Sequence, residues 1–350
     1  MITPIEYTSE TVIEMGKCYI GMPNSVYHAQ EGISKSSLDR FSDSPYKYFY
    51  GKPMKQTKAM VVGSATHAFV VEHDVFYKTF MVEPKFDDCL STDAAMKAWL
   101  KERGQTGYST KKGSELIDLC YRCDPELKFE AIERKKWEEY IGIESMMKSD
   151  HEDAIFGVKT AIKSDGEYAY ILSEDTFESV EGMKKALLSN SAARKYLEAE
   201  GYVEISFFIV DPITGIKIRI RFDKLAFIDG QWYGFDLKKT QSIKWRDTSN
   251  TLAKYRYHVQ AAFYSYVFKL VTGIELAGFV FGFVEEEYPH IVAVGALDDL
   301  SFNIGCEVYR ADLNLYAEYL RGDIVAHNNE EETIFSLPEY VLREFEQEII

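Results

Sequence analysis

The sequence predicts an α/β protein built around a hairpin of strands and two helices. Apolar and polar residues alternate over 216–223, which is the two-residue period of a half-buried strand. Residues 234–238 alternate as well, and Asp229-Gly230 between the two runs favours a tight hairpin turn. Small and apolar residues over 60–71 predict a buried helix, and residues 255–264 predict a second helix.

The N-terminal part of the chain predicts short elements before the buried helix. Residues 1–30 have the pattern of an irregular lead-in with short strand-like pieces. Ser34 or Ser36 can cap a short helix, which the sequence around Pro45 stops. The buried helix then extends over about 58–74.

The middle of the chain predicts an inserted helical lobe. Residues from about 87 to 150 are polar and rich in Lys and Glu, with a loop at 104–113 and a helical period around 129–147. Residues 173–200 are again helical in pattern. Residues 202–281 supply most of the sheet and one long helix.

Length and composition indicate one elaborated domain. The chain has 350 residues, and we expect that domain over 31–328, followed by an acidic tail over 329–350. A content of 46% apolar and 27% charged residues fits a soluble globular protein. No apolar run approaches the roughly 20 residues needed to cross a bilayer, and the first residues lack the pattern of a signal peptide. We therefore expect a cytoplasmic protein with no membrane partner.

The cysteines do not form a recognisable metal-binding pattern. Cys120 and Cys123 have the C-x-x-C spacing, but no second close pair completes a zinc or iron–sulfur site. We expect reduced thiols without a bound metal. The five cysteines are Cys18, Cys89, Cys120, Cys123 and Cys306.

The net charge of −16 works against binding of DNA, because a polyanion is bound by displacing counterions onto Lys and Arg. Residues 201–270 nonetheless hold 11 Lys and Arg against 6 Asp and Glu, a net charge of +5, which leaves −21 for the rest of the chain. Positive charge is therefore concentrated in the segment that also holds the candidate site. Solvated strand and helix faces that happen to be basic would give the same count.

Asp223, Asp236 and Lys238 form the strongest candidate site. A spacing of two places Asp236 and Lys238 on the same face of their strand, and the hairpin brings that face close to Asp223. Two carboxylates and an ammonium group suit a hard divalent cation, since Mg²⁺ takes oxygen ligands and a lysine can orient water or offset negative charge. The alternative is an exposed hairpin with a surface salt bridge.

Two further residues could join this group. Glu204 lies on another predicted strand, where its carboxylate could reach a metal directly or through water, or could be solvated. His67 lies on the buried helix, where a lone histidine is more often a satisfied core residue than a ligand. Gly63, one turn earlier, would allow the close approach of another backbone to that helix face.

Gln260 and Tyr264 stand four residues apart on a predicted helix and so share one face, with Tyr257 on the same stripe. An amide and a phenol facing a charged site can order water or contact phosphate; otherwise they cap the edge of the core. Arg256 and Lys254 nearby could bind a nucleic-acid strand.

In chain order, these residues resemble the PD-(D/E)XK nuclease superfamily, and within it the RecB-like branch and the phage RecE (exonuclease VIII) group. The resemblance spans about residues 30–270. Each piece is weak alone, and the ordered set is the specific feature. The matching pieces are Ile33-Ser-x-Ser-x-Leu38 with Ser44-Pro45, Gly63-x-x-x-His67, Glu204-x-Ser206, Asp211-Pro-x-Thr-Gly215, Arg221-x-Asp223, Asp236-Leu-Lys238-x-Thr240 and Tyr255-x-Tyr-His-x-Gln260-Ala-Ala-x-Tyr264.

The resemblance implies a restriction-endonuclease-like fold, with a mixed central sheet flanked by helices and the helical insertion added to it. It implies a Mg²⁺- or Mn²⁺-dependent deoxyribonuclease that digests linear double-stranded DNA 5′ to 3′ and leaves 3′ single-stranded tails for phage-type recombination. It also implies a ring-shaped homo-oligomer, DNA ends as the substrate and a single-strand annealing protein of the RecT or beta type as partner. The setting would be the cytoplasm of a bacterial or phage-infected cell.

The expected mechanism is hydrolysis with two metal ions. Asp223 and Asp236, with the carbonyl group of Leu237, would hold one ion against the scissile phosphate. His67 and Glu204 would complete the second position.

Three residues have supporting roles in this mechanism. Lys238 would orient the attacking water, while Gln260 and Tyr264 would brace the ligands or touch the strand. The chain departs from the family where Lys239 follows Lys238 and where Phe222 precedes Asp223. A structure-specific endonuclease or helicase-associated nuclease on the same fold, and a catalytically silent DNA-end binding or assembly module, are the alternatives.

Overall fold

The computed structural model describes residues 2–52, 56–146, 158–164, 166–325 and 336–337. The predicted acidic tail over 329–350 lies outside the described residues, except for 336–337. The strands are β1 (Ile5–Glu6), β2 (Lys17–Ile20), β3 (Phe80–Glu83), β4 (Ile143–Met146), β5 (Lys159–Lys163), β6 (Tyr168–Ser173), β7 (Glu200–Val210), β8 (Lys217–Ile228), β9 (Gln231–Thr240), β10 (Gly278–Glu285) and β11 (Val292–Ala296). The helices are α1 (Asn24–Ala29), α2 (Lys35–Asp43), α3 (Pro45–Tyr50), α4 (Lys58–Val71), α5 (His73–Thr79), α6 (Asp93–Glu102), α7 (Ser114–Cys123), α8 (Glu130–Tyr140), α9 (Glu174–Ser189), α10 (Ser191–Leu197), α11 (Trp245–Lys254), α12 (Tyr257–Thr272) and α13 (Asp299–Arg321).

Seven strands form a mixed central sheet in the order β1-β2-β7-β8-β9-β10-β11. The pairs β1–β2 and β9–β10 are parallel, and the other neighbouring strands are antiparallel. A smaller sheet has the order β3-β6-β5-β4. The predicted α/β fold class, a mixed sheet flanked by helices, is confirmed.

Helices cover both faces of the central sheet. On one face α12 and α13 bury Phe263 and Leu313 against β7, β8 and β10. On the other face α4 and α9 bury Val62 and Met183 against β9 and β10. Successive residues of a strand point to opposite faces, so β9 and β10 contribute to both apolar layers.

The hairpin of β8 and β9 has the predicted turn. Asp229 and Gly230 adopt φ angles of +50° and +79°, the left-handed pair that a two-residue type I′ turn requires. The backbone ladder between the two strands runs from this turn to the pair Lys224–Phe235. The two strands therefore separate just before the residues of the candidate site.

Strand β8 is buried on both faces, so the predicted half-buried strand is wrong. Arg219 and Arg221 on its polar face, and Lys224 near the site, are each at most 9% exposed. Arg219 donates to three carbonyl groups within residues 27–30. Residues 1–30, predicted as an irregular lead-in, thus cover this face, and their strand β2 pairs with β7.

Within the insertion predicted over about 87–150, helices α6, α7 and α8 form a lobe with its own apolar core, and residues 147–150 lie outside the described residues. The helical period predicted over 129–147 is wrong at its end, because β4 pairs with β5 there. The sequence patterns predict neither this second sheet nor α13. The core of the lobe contains Met96, Leu100, Leu116, Cys120 and Phe129.

Two further findings concern the cysteines and membrane-crossing helices. All five cysteines are free thiols. Within the described ranges, no helix combines the length and the apolar character that crossing a bilayer would require.

Asp211 fastens the turn between β7 and β8 to the helical layer. Its buried carboxylate accepts hydrogen bonds from the backbone and the hydroxyl of Thr214, at 2.9 and 2.6 Å, and from the hydroxyl of Tyr266 on α12. Arg310 on α13 pairs with it at 2.9 Å. One carboxylate therefore joins the sheet to two helices.

We predict that Asp211→Asn lowers the free energy of unfolding by about 3 kcal/mol, because a neutral amide accepts hydrogen bonds at only one of the two oxygen positions and leaves Arg310 without its counter-ion. Urea denaturation measures the change. Asp118→Asn on the surface of α7 is the control, with an expected change of about 0.5 kcal/mol or less. Equal losses in the two variants would contradict this role of Asp211.

Candidate active site

Helix α4 carries His67 towards β7 and β8. The side chain of Thr57 caps the helix by accepting a hydrogen bond from the backbone of Met60. Ala65 and Phe69 are buried, so the predicted buried helix over about 58–74 is confirmed. A Cβ atom on Gly63 would meet no atom within 4 Å, and the predicted close approach of another backbone there is wrong.

His67, Glu204 and Asp223 meet at one point. The Nε2 atom of His67 lies 3.3 Å from Oε1 of Glu204 and 3.3 Å from Oδ2 of Asp223. A ligand atom from each side chain lies within 4.8 Å of the other two. The side chains are 22%, 13% and 19% exposed, so the group is largely shielded from water but not sealed.

The backbone at Glu204 is in an unusual conformation. Its φ angle is +50°, a left-handed value that residues with side chains rarely adopt. The ladder between β7 and β8 pairs Val203 with Lys224 and Ile205 with Phe222, but omits the pair between them. The local distortion therefore falls at the two carboxylates that face His67.

The donor set fits a divalent cation. Nε2 of His67 is buried and has no hydrogen-bond partner among the described residues, although two carboxylate oxygens lie close to it. Burial, reinforced by the charges of Asp223 and Glu72, raises the pKa of Glu204 to about 7. The cluster therefore concentrates negative charge, and one imidazole nitrogen with two carboxylates could hold a divalent metal ion.

The same electrostatic environment acts on the pKa of His67. Burial alone would lower its pKa, but the charges of Asp223 and Glu204 raise it to about 10. A cation is thus strongly favoured at this point of the fold.

Asp236, Lys238 and Gln260 form a second group beside the first. Nζ of Lys238 lies 2.6 Å from Oδ2 of Asp236, and Gln260 on α12 donates to Oδ1. Burial and then the charge of Asp223 raise the pKa of Asp236 to about 6. Asp236 is only 3% exposed, so the alternative of a surface salt bridge is wrong.

The structure groups the predicted metal ligands differently from the prediction made from the sequence. Asp223 groups with His67 and Glu204, whereas the sequence predicts that it shares an ion with Asp236. Asp223 also accepts a hydrogen bond of 2.9 Å from the backbone amide of Leu237. The role of the Leu237 carbonyl group stays a prediction.

Tyr264 and Tyr257 lie on the face of α12 that meets this site. The ring of Tyr264 packs edge-on against Phe222 and Phe279, and burial raises its pKa well above the ordinary range. It braces the core under the site. The ring of Tyr257 lies 4.8 Å from Nζ of Lys238, a cation–π contact to which the sequence assigns no role.

Arg221, which lies in the matching piece Arg221-x-Asp223 but has no role predicted from the sequence, is a positioning residue. Its guanidinium group lies 3.4 Å from Oε2 of Glu204 and donates to Ser206 at 2.8 Å and to the carbonyl group of Met22 at 2.9 Å. It therefore fixes the carboxylate of Glu204 from the side opposite His67. Arg221 lies two residues before Asp223, and alternate residues of a strand share a face, so this spacing places Arg221 on the side of the site.

The excess of basic residues over 201–270 does not form one free basic surface. Arg219, Arg221 and Lys224 are buried. Arg256, predicted to bind a nucleic-acid strand, pairs instead with Asp39 and Asp312. Four further cations pair with carboxylates: Lys217, Lys238, Lys239 and Lys269. Three are exposed and have no ion-pair partner in the described part of the chain: Lys244, Arg246 and Lys254.

The mixed sheet, with carboxylates and a lysine on its central strands and a glutamine on α12, defines a PDDEXK-like protein. The chain belongs to the family described as "PDDEXK-like domain of unknown function (DUF3799)", which matches residues 129–331. The matched range includes Glu204, Asp223, Asp236 and Lys238, while His67 precedes it. The predicted PD-(D/E)XK superfamily is confirmed.

A crystal structure described as "Putative exonuclease" from Eubacterium rectale is similar, with a TM-score of 0.49 and 13% identity, over 93% of this chain and 98% of that chain. The search of curated proteins finds no match.

We predict that Arg221→Lys weakens the binding of Mn²⁺ by about 10- to 100-fold, because the residue that orients a ligand is lost. Titration calorimetry measures the affinity. Arg219→Lys is the matched control, since Arg219 is equally buried on the same strand but donates to backbone carbonyl groups rather than to a site carboxylate. It should change the affinity by about twofold or less, and an equal loss in both variants would remove the specific role of Arg221.

Proposed function

We propose that the protein is a nuclease that requires a divalent metal ion and hydrolyses phosphodiester bonds of DNA. The observation that carries this proposal is the convergence of His67, Glu204 and Asp223 beside the buried pair of Asp236 and Lys238. A PDDEXK-like family match over residues 129–331 supports it. Ligands for a hard cation next to a fixed ammonium group suit a reaction at a phosphate.

A divalent ion held by His67, Glu204 and Asp223 would supply a Lewis acid for the phosphate and lower the pKa of the attacking water. Lys238 offsets negative charge that develops on the phosphate. Burial would lower the pKa of Lys238, but the charge of Asp236 raises it, so the side chain stays an ammonium.

The second group holds this lysine in place. Asp236 pairs with Lys238, and Gln260 donates to the other oxygen of Asp236. The ring of Tyr257 lies beside the ammonium group. As part of this proposal, Asp236 and the carbonyl group of Leu237 contribute ligands to a second ion.

The finer activity rests on the ordered motifs over about 30–270. They support a RecE-type exonuclease that digests linear duplex DNA from the 5′ end with Mg²⁺ or Mn²⁺ and leaves 3′ tails for recombination. A ring-shaped homo-oligomer, a single-strand annealing partner and a cytoplasmic setting belong to the same proposal.

The first motif forms α2, whose cap Ser34 accepts a hydrogen bond from the backbone of Ser37. Its residue Lys35 donates to the carbonyl group of Tyr255 beside the site.

We predict that Lys238→Ala lowers kcat on linear duplex DNA by about 10²- to 10³-fold, since it removes a preorganised charge from the transition state. Lys239→Ala is the matched control, because the neighbouring Lys239 pairs with Glu286 instead. It should keep its rate within about twofold. Equal rates for the two variants would contradict the role of Lys238 in hydrolysis. Undiminished hydrolysis by the parental protein in the presence of a chelator would contradict the requirement for a metal ion.

We predict that the parental protein releases a 5′ label from linear duplex DNA before a 3′ label and leaves a covalently closed circle intact. An end-dependent enzyme needs a terminus, which the circle lacks. Nicking of the circle would point to the endonuclease instead. Binding of DNA with no product in either Mg²⁺ or Mn²⁺ would point to a silent binding module.

A further inference from the structure

Helix α11 presents a surface of cations and aromatic rings next to the candidate active site. None of its residues is buried. Trp245 at its start is 85% exposed, and Tyr255, which follows its last residue, is 50% exposed. An indole ring this exposed is not part of the core, so its position calls for another explanation.

The charge of this segment is positive. Lys244, Arg246 and Lys254 lie along it, and Asp247 is the one acidic residue of α11. Within the described ranges, none of the three cations has a carboxylate at ion-pair distance, whereas the other basic residues near the site are buried or paired. In a chain with a net charge of −16, free cations at this place can serve an external anion.

A row of rings and ammonium groups connects this surface to the site. Nζ of Lys254 lies 5.3 Å from the ring centre of Tyr255, and that ring stacks on Tyr257 at 5.8 Å and 22°. The ring of Tyr257 in turn lies 4.8 Å from Nζ of Lys238. The C-terminal end of α11 therefore adjoins the lysine of the candidate site.

We propose that the surface of Lys244, Trp245, Arg246, Lys254 and Tyr255, the α11 surface, binds single-stranded DNA next to the point of hydrolysis. Bases stack on the rings and phosphates contact the cations, an alternation that suits a chain of bases and phosphates. The choice of DNA rests on the proposed function. A second copy of the protein could also cover Trp245, and the experiment separates that case.

The test measures how the full-length protein binds a fluorescein-labelled oligothymidylate in EDTA, by anisotropy over a range of salt concentrations. Trp245→Ala should weaken binding by about 10-fold through loss of stacking. Lys244→Gln with Arg246→Gln should make the slope of log K against log salt shallower by about 1.4, the value for two phosphate contacts on a single strand.

Each α11 variant has a control variant of the same kind on the helical lobe. Tyr140→Ala replaces a ring that is 89% exposed on α8, and Lys101→Gln with Lys135→Gln replaces two exposed lysines. Both should keep the parental affinity and slope. Equal effects of the α11 variants and these controls would overturn the inference.

Two parallel measurements resolve the remaining outcomes. If Trp245→Ala disrupts self-association in sedimentation but leaves DNA binding unchanged, the α11 surface is an interface between copies and the inference is wrong. Hydrolysis of DNA is measured separately: binding through α11 without any cleavage would retain this inference and sink the proposed function. Cleavage of DNA by the parental protein, combined with unchanged DNA binding by the α11 variants, would retain the proposed function and overturn this inference.

Discussion

The arrangement of the candidate site depends on the point where β8 and β9 part. Their backbone ladder ends at the pair Lys224–Phe235, and beyond it the carboxylate of Asp223 accepts the hydrogen bond of the Leu237 amide. A side chain thus replaces a backbone acceptor, so an acid is held inside the sheet without leaving a buried amide unpaired. Because Asp223 is fixed there, His67 and Glu204 can reach it from α4 and β7.

Burial gives these acids their chemical character. The pKa of Glu204 is raised to about 7 and that of Asp236 to about 6, in each case chiefly by removal from water. Each acid has a fixed cationic partner, since Arg221 faces Glu204 and Lys238 faces Asp236. The chain therefore keeps several charged groups at low exposure by pairing them.

The sequence predicts local features of this structure better than distant ones. Asp229-Gly230 specifies the hairpin, because only a few residues tolerate two successive left-handed conformations. Alternation predicts β8 but cannot show whether Arg219 faces water or the carbonyl groups of residues 27–30, which come from far along the chain. The sequence also misses β4, because its residues continue a predicted helical period and only the pairing with β5 shows a strand. Spacing places Glu204 on a strand, but nothing in it reveals the left-handed backbone there.

The use of cations inside the fold changes how an acidic chain can bind a polyanion. Of the basic residues over 201–270, most are buried or paired with carboxylates, so few remain for contacts with phosphate. Affinity for DNA would then depend less on a broad basic surface and more on a metal ion and a short run of free cations such as Lys244 and Arg246. Counterion release scales with the number of phosphates that a protein neutralises, so such binding would depend only weakly on salt. A net charge of −16 is compatible with a nuclease on this fold for that reason, and the exposed ring of Trp245 would add affinity that salt does not screen.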